Sequence, residues 1–216
     1  MQSTGRVAAM AGTKSAVRWK IFFLMLCLIS INYIDRASLS VAMPLISKEF
    51  DLTPAMEGLI LSGFFWTYAV MQIPGGMLAD KHKPRIVIAL ATVFWGIFQA
   101  AAALCTNATS LLLTRFGLGA AEAPIYPAGG KLNAIWMTQY ERGRGATLLD
   151  GGAPLGAALG AIIITWLITM LGSWRLAFVV AGVGTVLAGY VAWRYIRNTP
   201  REHPGVNDEE ATYIEE

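Results

Sequence analysis

Two pairs of charged residues stand where charge is expensive. Asp35 and Arg36 interrupt a stretch that is uncharged from Ile21 to Ile34 and again from Ala37 to Ser47. Arg115 and Glu122 interrupt a second apolar stretch, running from about Ser110 to Trp136. Ionisable groups inside hydrocarbon face a bundle interior or a water-filled cavity, and by default mark a pathway. Arginine stays charged and can fork onto a carboxylate. Arg36 and Arg115 are therefore candidates to hold an organic anion. Glu122, deeper among small apolar neighbours, is the first choice for a proton-accepting group, and Asp35 the second; the reverse assignment stays open. Two arginines and two ionised acids sum to zero, so one added proton leaves a positive site suited to an anion. Arg115 and Glu122 are seven apart, nearly two turns, and share a helix face that Tyr126 continues. The structural alternative is two internal ion pairs that only fix packing.

The elements that must position these groups are membrane helices. The chain has 216 residues, 55% hydrophobic and 14% charged, with the apolar residues in long blocks that lack a polar face. Uncharged runs at 58–79, 86–105, 151–174 and 176–193 are each long enough to cross a bilayer. With the first segment from Ile21 and the fourth from Ser110, they make six spans, which in lipid must be helices. The first is retained rather than cleaved, since it outruns a signal h-region and no small-x-small site follows. At 1.5 Å per residue, Arg115 lies about 8 Å and Glu122 about 18 Å from the outer end of the fourth helix. Asp35 and Arg36 lie about 17 Å from the outer end of the first, so the two pairs share one depth range.

Lys and Arg placement orients the bundle. Arg6, Lys14, Arg18, Lys20, Lys81, Lys83, Arg85, Lys131, Arg142, Arg144, Arg194, Arg197 and Arg201 fall on one side, against Lys48 and Arg175 on the other. Both termini of this half are expected to be cytoplasmic. The expected division is a polar tail at 1–20, a six-helix bundle at 21–198, and an acidic linker at 199–216.

Other residues read as structural. Gly152, Gly156 and Gly160 form a small-xxx-small run for close helix approach, with Gly75-Gly76 and Gly117-x-Gly119 acting likewise. Asp150 is expected to serve the dipole at the start of the fifth helix. His82 and His203 are expected to be solvated, and the aromatics chiefly lipid-facing or interfacial. Cys27 and Cys105 have no metal or disulfide spacing. The sequon at Asn107 lies too close to the membrane to weigh. There is no Gly-x-Ser-x-Gly, no His-Glu-x-x-His and no histidine at membrane depth, so the chain is not expected to be an enzyme. No metal, no cofactor and no nucleic-acid partner are expected.

The same residues carry a resemblance. Asn32-Tyr33-x-Asp35-Arg36-Ala37-x-Leu39-Ser40, Gln72-Ile73-Pro74-Gly75-Gly76, Arg115-Phe116-x-x-Gly119-x-x-Glu122-Ala123-Pro124-x-x-Pro127, Glu141-Arg142-Gly143 and His203-Pro204-Gly205-Val206-Asn207 occur in order. Together they resemble the N-terminal half of a major facilitator superfamily transporter, within the anion:cation symporter group that takes up hexuronates, glucarate, galactonate and aromatic acids. The resemblance implies an all-α membrane fold, six helices forming half of a twelve-helix carrier. It places Arg36, Arg115 and Tyr33 near substrate, and Asp35 and Glu122 in proton coupling, with the proton gradient as energy source. Gly76, Asp80, Lys81 and Arg85 fit the family's gating loop, while Lys83 and Pro84 depart from it.

The leading expectation is proton-coupled symport of an organic anion, a sugar acid on resemblance, across a bacterial inner membrane by alternating access. Such carriers work by two halves rocking about a central site, so a C-terminal six-helix half is the expected partner besides the bilayer and the anion, and the chain reads as a partial sequence. Alternatives are an anion or phosphate-ester antiporter and an inactive half-transporter.

Overall fold

Backbone in hydrocarbon has no water to bond, so the long apolar runs satisfy their own N–H and C=O groups as helices. The computed structural model describes residues 14–215, and the basic tail reading at Arg6 lies outside them. Its α-helices are α1 (Val17–Phe50), α2 (Pro54–Lys81), α3 (Pro84–Ala101), α4 (Ala108–Glu122), α5 (Ile125–Trp136), α6 (Arg142–Leu171), α7 (Trp174–Tyr195) and α8 (Asp208–Glu215). The protein is an all-helical integral membrane protein. Among the described residues, four helical stretches, α1, Pro84–Leu104, α6 and α7, are long and apolar enough to span a bilayer by length and composition. α2 is long enough, but Thr67, Tyr68 and Gln72 lower its hydropathy.

The fourth span differs from the expected single helix. It breaks at Ala123–Pro124 into α4 and α5, because proline lacks the N–H and its ring clashes with the preceding turn. Gly75 of α2 lies against this break, where a Cβ would stand 3.1 Å from the Pro124 backbone. Counting α4 with α5 as one rod, the tightest pairings are first with fifth, second with fourth and third with sixth. Exchanging rods one to three for four to six leaves that set unchanged, as an internal repeat requires.

The glycine run does what its spacing predicts. Cβ atoms at Gly152, Gly156 and Gly160 would fall within 2.2–2.8 Å of Leu26, Ser30 and Ala37 on α1, so α6 packs backbone to backbone against it. Gly119 is similarly tight against Phe64 of α2, whereas Gly76 has room for a side chain. α1, at 34 residues and 1.5 Å per residue, outruns a hydrocarbon core of about 30 Å. Polar ties hold its two ends. At one, Glu49 receives Arg175 at 2.6 Å and the Trp174 indole N–H at 2.7 Å. At the other, Arg18 joins Glu141, beside the first turn of α6, to Glu210 of α8.

Several minor expectations need correction. Asp150 lies in the third turn of α6, exposed, too far from the helix start for a dipole role. His203 is buried, edge-on to Trp136 and Tyr195, because the chain after α7 folds back onto the bundle. Burial, and next the Arg197 cation, hold its pKa below the ordinary imidazole value. Phe22, Trp95, Trp136 and Phe178 are fully buried, so a good part of the aromatic content is core. Asn107 caps α4 in a reciprocal box with Ser110, a structural use for the sequon position.

Candidate functional site

α1 presents Asp35 and Arg36 to different surroundings, since adjacent residues on a helix point about 100° apart. Arg36 reaches α4 and meets Glu122, Nε to Oε2 at 2.9 Å. Its guanidinium carbon lies 4.8, 4.7 and 4.6 Å from the ring centres of Tyr33, Phe64 and Tyr68, three faces that favour a cation. Tyr126, at the start of α5, stands beside Tyr33 and Tyr68 on the same wall. Asp35 points to the other side. Its Oδ2 accepts from the Trp95 indole N–H at 2.7 Å on α3 and the Thr185 hydroxyl at 2.8 Å on α7. Asp35 and Arg36, neighbours in sequence, are thus bonded to different helices, Arg36 to Glu122 of α4 and Asp35 to α3 and α7.

Arg115 lies between the two settings. It is 2% exposed, within electrostatic reach of Glu122 and Asp35, with its guanidinium carbon 5.7 Å from the Phe178 ring centre. Its Nε and Nη2 have no hydrogen-bond partner among the described residues, and neither do Arg36 Nη2 and Glu122 Oε1. Asn32, fully buried, is a polar neighbour of Glu122. Buried polar groups are normally satisfied, so such a concentration is a sign of something other than packing. The four charged groups singled out in the sequence thus do converge at one depth, with Tyr33 and Tyr126 beside them.

Trp95, Thr185, Tyr68 and Phe64 were missed. A tryptophan or threonine on an apolar helix carries no signal of its own. Only the α3–α7 packing, which presents both donors to one carboxylate oxygen, reveals their role. Gln99 was equally silent and donates to the Ser38 hydroxyl at 2.8 Å, extending the polar seam between α1 and α3. The loop residues stand apart from the quartet. Asp80 and Lys81 close α2 and are exposed, and Arg85 Nε donates to the Trp193 carbonyl at 2.8 Å. Lys131 caps the end of α2, donating to the carbonyls of Ala79 and Asp80 at 2.7 and 2.9 Å.

Residues 25–214 match the model of the Major Facilitator Superfamily. The chain belongs to that superfamily. It is 34% identical over 212 residues to a probable galactarate/D-glucarate transporter of Bacillus subtilis (strain 168), covering 95% of this chain and 46% of that protein. It is 36% identical over 185 residues to a probable L-galactonate transporter of Escherichia coli (strain K12), covering 85% and 40%. Among solved structures, a bacterial homologue of the human lysosomal transporter Spinster, inward-facing and unoccupied, superposes with a TM-score of 0.80. That match has 24% identity, covers 88% of this chain and 45% of the other, and bears on the fold alone. The chain spans about half the length of the curated relatives it matches. The superfamily and these relatives are transporters, not enzymes, and the superfamily's six-helix half is the architecture found here.

Proposed function

We propose that this chain is one half of a proton-coupled symporter for an organic acid anion, with a sugar acid as the substrate class. The observation that carries the reading is Arg115, a buried guanidinium at membrane depth with two donor nitrogens unpartnered among the described residues. Arg36 and Arg115 hold the anion's carboxylate, and Tyr33 and Tyr126 stand on the adjoining wall. Glu122 and Asp35 carry the coupling. With Glu122 ionised, Arg36 is engaged at 2.9 Å. A proton on Glu122 ends the ion pair and leaves Arg36, held among three rings, to bind an anion. Anion and proton then load together, and with a monoanion such as an aldonate one proton leaves the loaded site neutral, whereas an aldarate dianion needs two. Gly76, Asp80, Lys81 and Arg85 serve as the gating loop, packing against a second six-helix half. Relatives named for galactarate, D-glucarate and L-galactonate support the sugar-acid class.

The excess of Lys and Arg at one end supports cytoplasmic termini in a bacterial inner membrane. Division into a tail at 1–20, a bundle at 21–198 and a linker at 199–216 goes with this reading, and no cofactor enters it. The test is substrate binding by the full-length carrier. Arg115→Ala and Arg36→Ala should each weaken sugar-acid affinity by at least about tenfold, since each removes a charge-assisted bond worth about 1.5–3 kcal/mol. Unaltered affinity in both would sink the anion-clamp assignment. Exchange that ignores a proton gradient would favour the antiporter.

A further inference from the structure

Away from the charged quartet, the ridge of α3 carrying Ile86 and Leu90 stands exposed between two apolar grooves. One, of about 500 Å³, lies between α2 and α3, with Gly117, Ala120, Ala121 and Pro124 of the fourth rod as its floor. The other, of about 350 Å³, runs between α3 and α7 past Val93, Gly189 and Trp193. From Ile86 to Phe98 the first groove runs about 18 Å at 1.5 Å per residue. Half of a hydrocarbon core of about 30 Å is about 15 Å, so the groove has the length of one leaflet.

Both grooves open at the same basic end. There the Arg85 guanidinium carbon sits 5.2 Å from the ring centre of Trp193, with Arg194, Arg197 and Glu202 in electrostatic reach. Lys81 and Lys83 are exposed and make no ion pair among the described residues. The nearby acids are Asp80, exposed, and Glu202, which already accepts from the Asn198 backbone and side-chain N–H groups. Lys83 at the N-cap of α3 makes no side-chain capping bond, so the positive end of the helix dipole adds to the same field.

We propose that an anionic phospholipid seats here, its two acyl chains straddling Ile86 and Leu90 and its phosphate held by Arg194 and Arg197, beside the gating-loop residue Arg85. The apolar grooves accept any acyl chain, and the excess of cations over Glu202 and Asp80 selects the headgroup. A soluble anion would have no use for two apolar grooves, one of them of leaflet length, and a neutral lipid none for the charges. The site is separate from the Arg36–Glu122 region, so the assignment does not rest on the proposed transport reaction.

The test is native mass spectrometry of the full-length gene product in detergent, with phosphatidylglycerol or phosphatidylcholine of matched acyl chains. Phosphatidylglycerol should be retained at least about tenfold better at low salt, with the preference collapsing as salt screens the headgroup. Arg194→Gln combined with Arg197→Gln should reduce that retention by about fivefold per charge removed. Leu90→Trp, which crowds both grooves, should weaken it without altering the charge. Equal retention of the two lipids by the unaltered protein, or a preference indifferent to salt, would overturn the proposal whether or not the variants fold. Competition by soluble glycerol phosphate would overturn the acyl seat.

Discussion

Arg18 and Arg115 are both buried guanidiniums near paired acids, and they differ in how completely they are used. Arg18 donates from Nε and Nη2 to Glu141 at 2.9 and 3.2 Å, and from Nη1 to Glu210 at 2.7 Å. Glu210 also accepts from Ser15 and from the backbone N–H groups of Val17 and Arg18. Arg115 leaves Nε and Nη2 unpartnered among the described residues, in a setting where Glu122 and Arg36 each have an idle polar atom as well. A buried ion pair repays its desolvation only when its remaining donors and acceptors are satisfied. The first cluster meets that condition and pins α8 and the start of α6 to α1. The second does not, and its spare bonding capacity is what a carboxylate ligand would take up.

The contrast can be broken at several points. Glu210→Ala leaves Arg18 buried with half its partners and should lower unfolding stability by about 3–5 kcal/mol, read by thermal or denaturant unfolding in detergent. Burial works to raise the Glu210 pKa, but bonds from Ser15, Arg18 and two backbone N–H groups together hold it below the ordinary carboxylate value. Its stabilisation is therefore complete above its unfolded pKa and is lost as pH falls through the folded one. His203 acts in the same sense. With its folded pKa depressed, its contribution is complete above the unfolded imidazole value of about 6.5 and declines below it. Acid should release α8 before it melts the bundle, a sequence that hydrogen exchange on residues 208–215 would show.

Thr185→Val removes one of two donors to Asp35 and should cost about 1.5–3 kcal/mol of stability. Arg115→Met, by contrast, should cost less than Glu210→Ala, because Arg115 Nε and Nη2 make no hydrogen bond to lose and only the attraction of its charge to Glu122 and Asp35 disappears. A large stability loss there would mean that Arg115 is structural like Arg18. Arg201→Ala breaks an exposed pair with Glu215 at 2.6 Å and should leave the unfolding midpoint essentially unchanged.

The sequence carried the helices and the four charges well, because both signals are local. Long uncharged runs admit one backbone solution in lipid, and an arginine or glutamate within such a run is conspicuous. Shared depth followed from counting residues along each span. Pairing did not follow, since it depends on rotation about the helix axis. Arg36 found Glu122 rather than Asp35, while Asp35 found Trp95 and Thr185. The break at Pro124 was visible as a residue type but was read through. The buried His203 could not be inferred from a polar segment, since only its return to Trp136 and Tyr195 removes it from water. Glu141, His203 and Asn207, quoted for family resemblance, prove to belong to the clip at the basic end. Asn207 exchanges hydrogen bonds with Ser15 and accepts from the Glu210 N–H.

In the proposed mechanism Glu122 carries the coupling proton through its bond to Arg36. This role is tested most directly by Glu122→Gln in the full-length carrier, reconstituted in proteoliposomes and supplied with a labelled sugar acid. Accumulation driven by an inward proton gradient should be abolished while substrate exchange continues. Gradient-driven accumulation at the unaltered level would show that Glu122 does not carry the coupling proton.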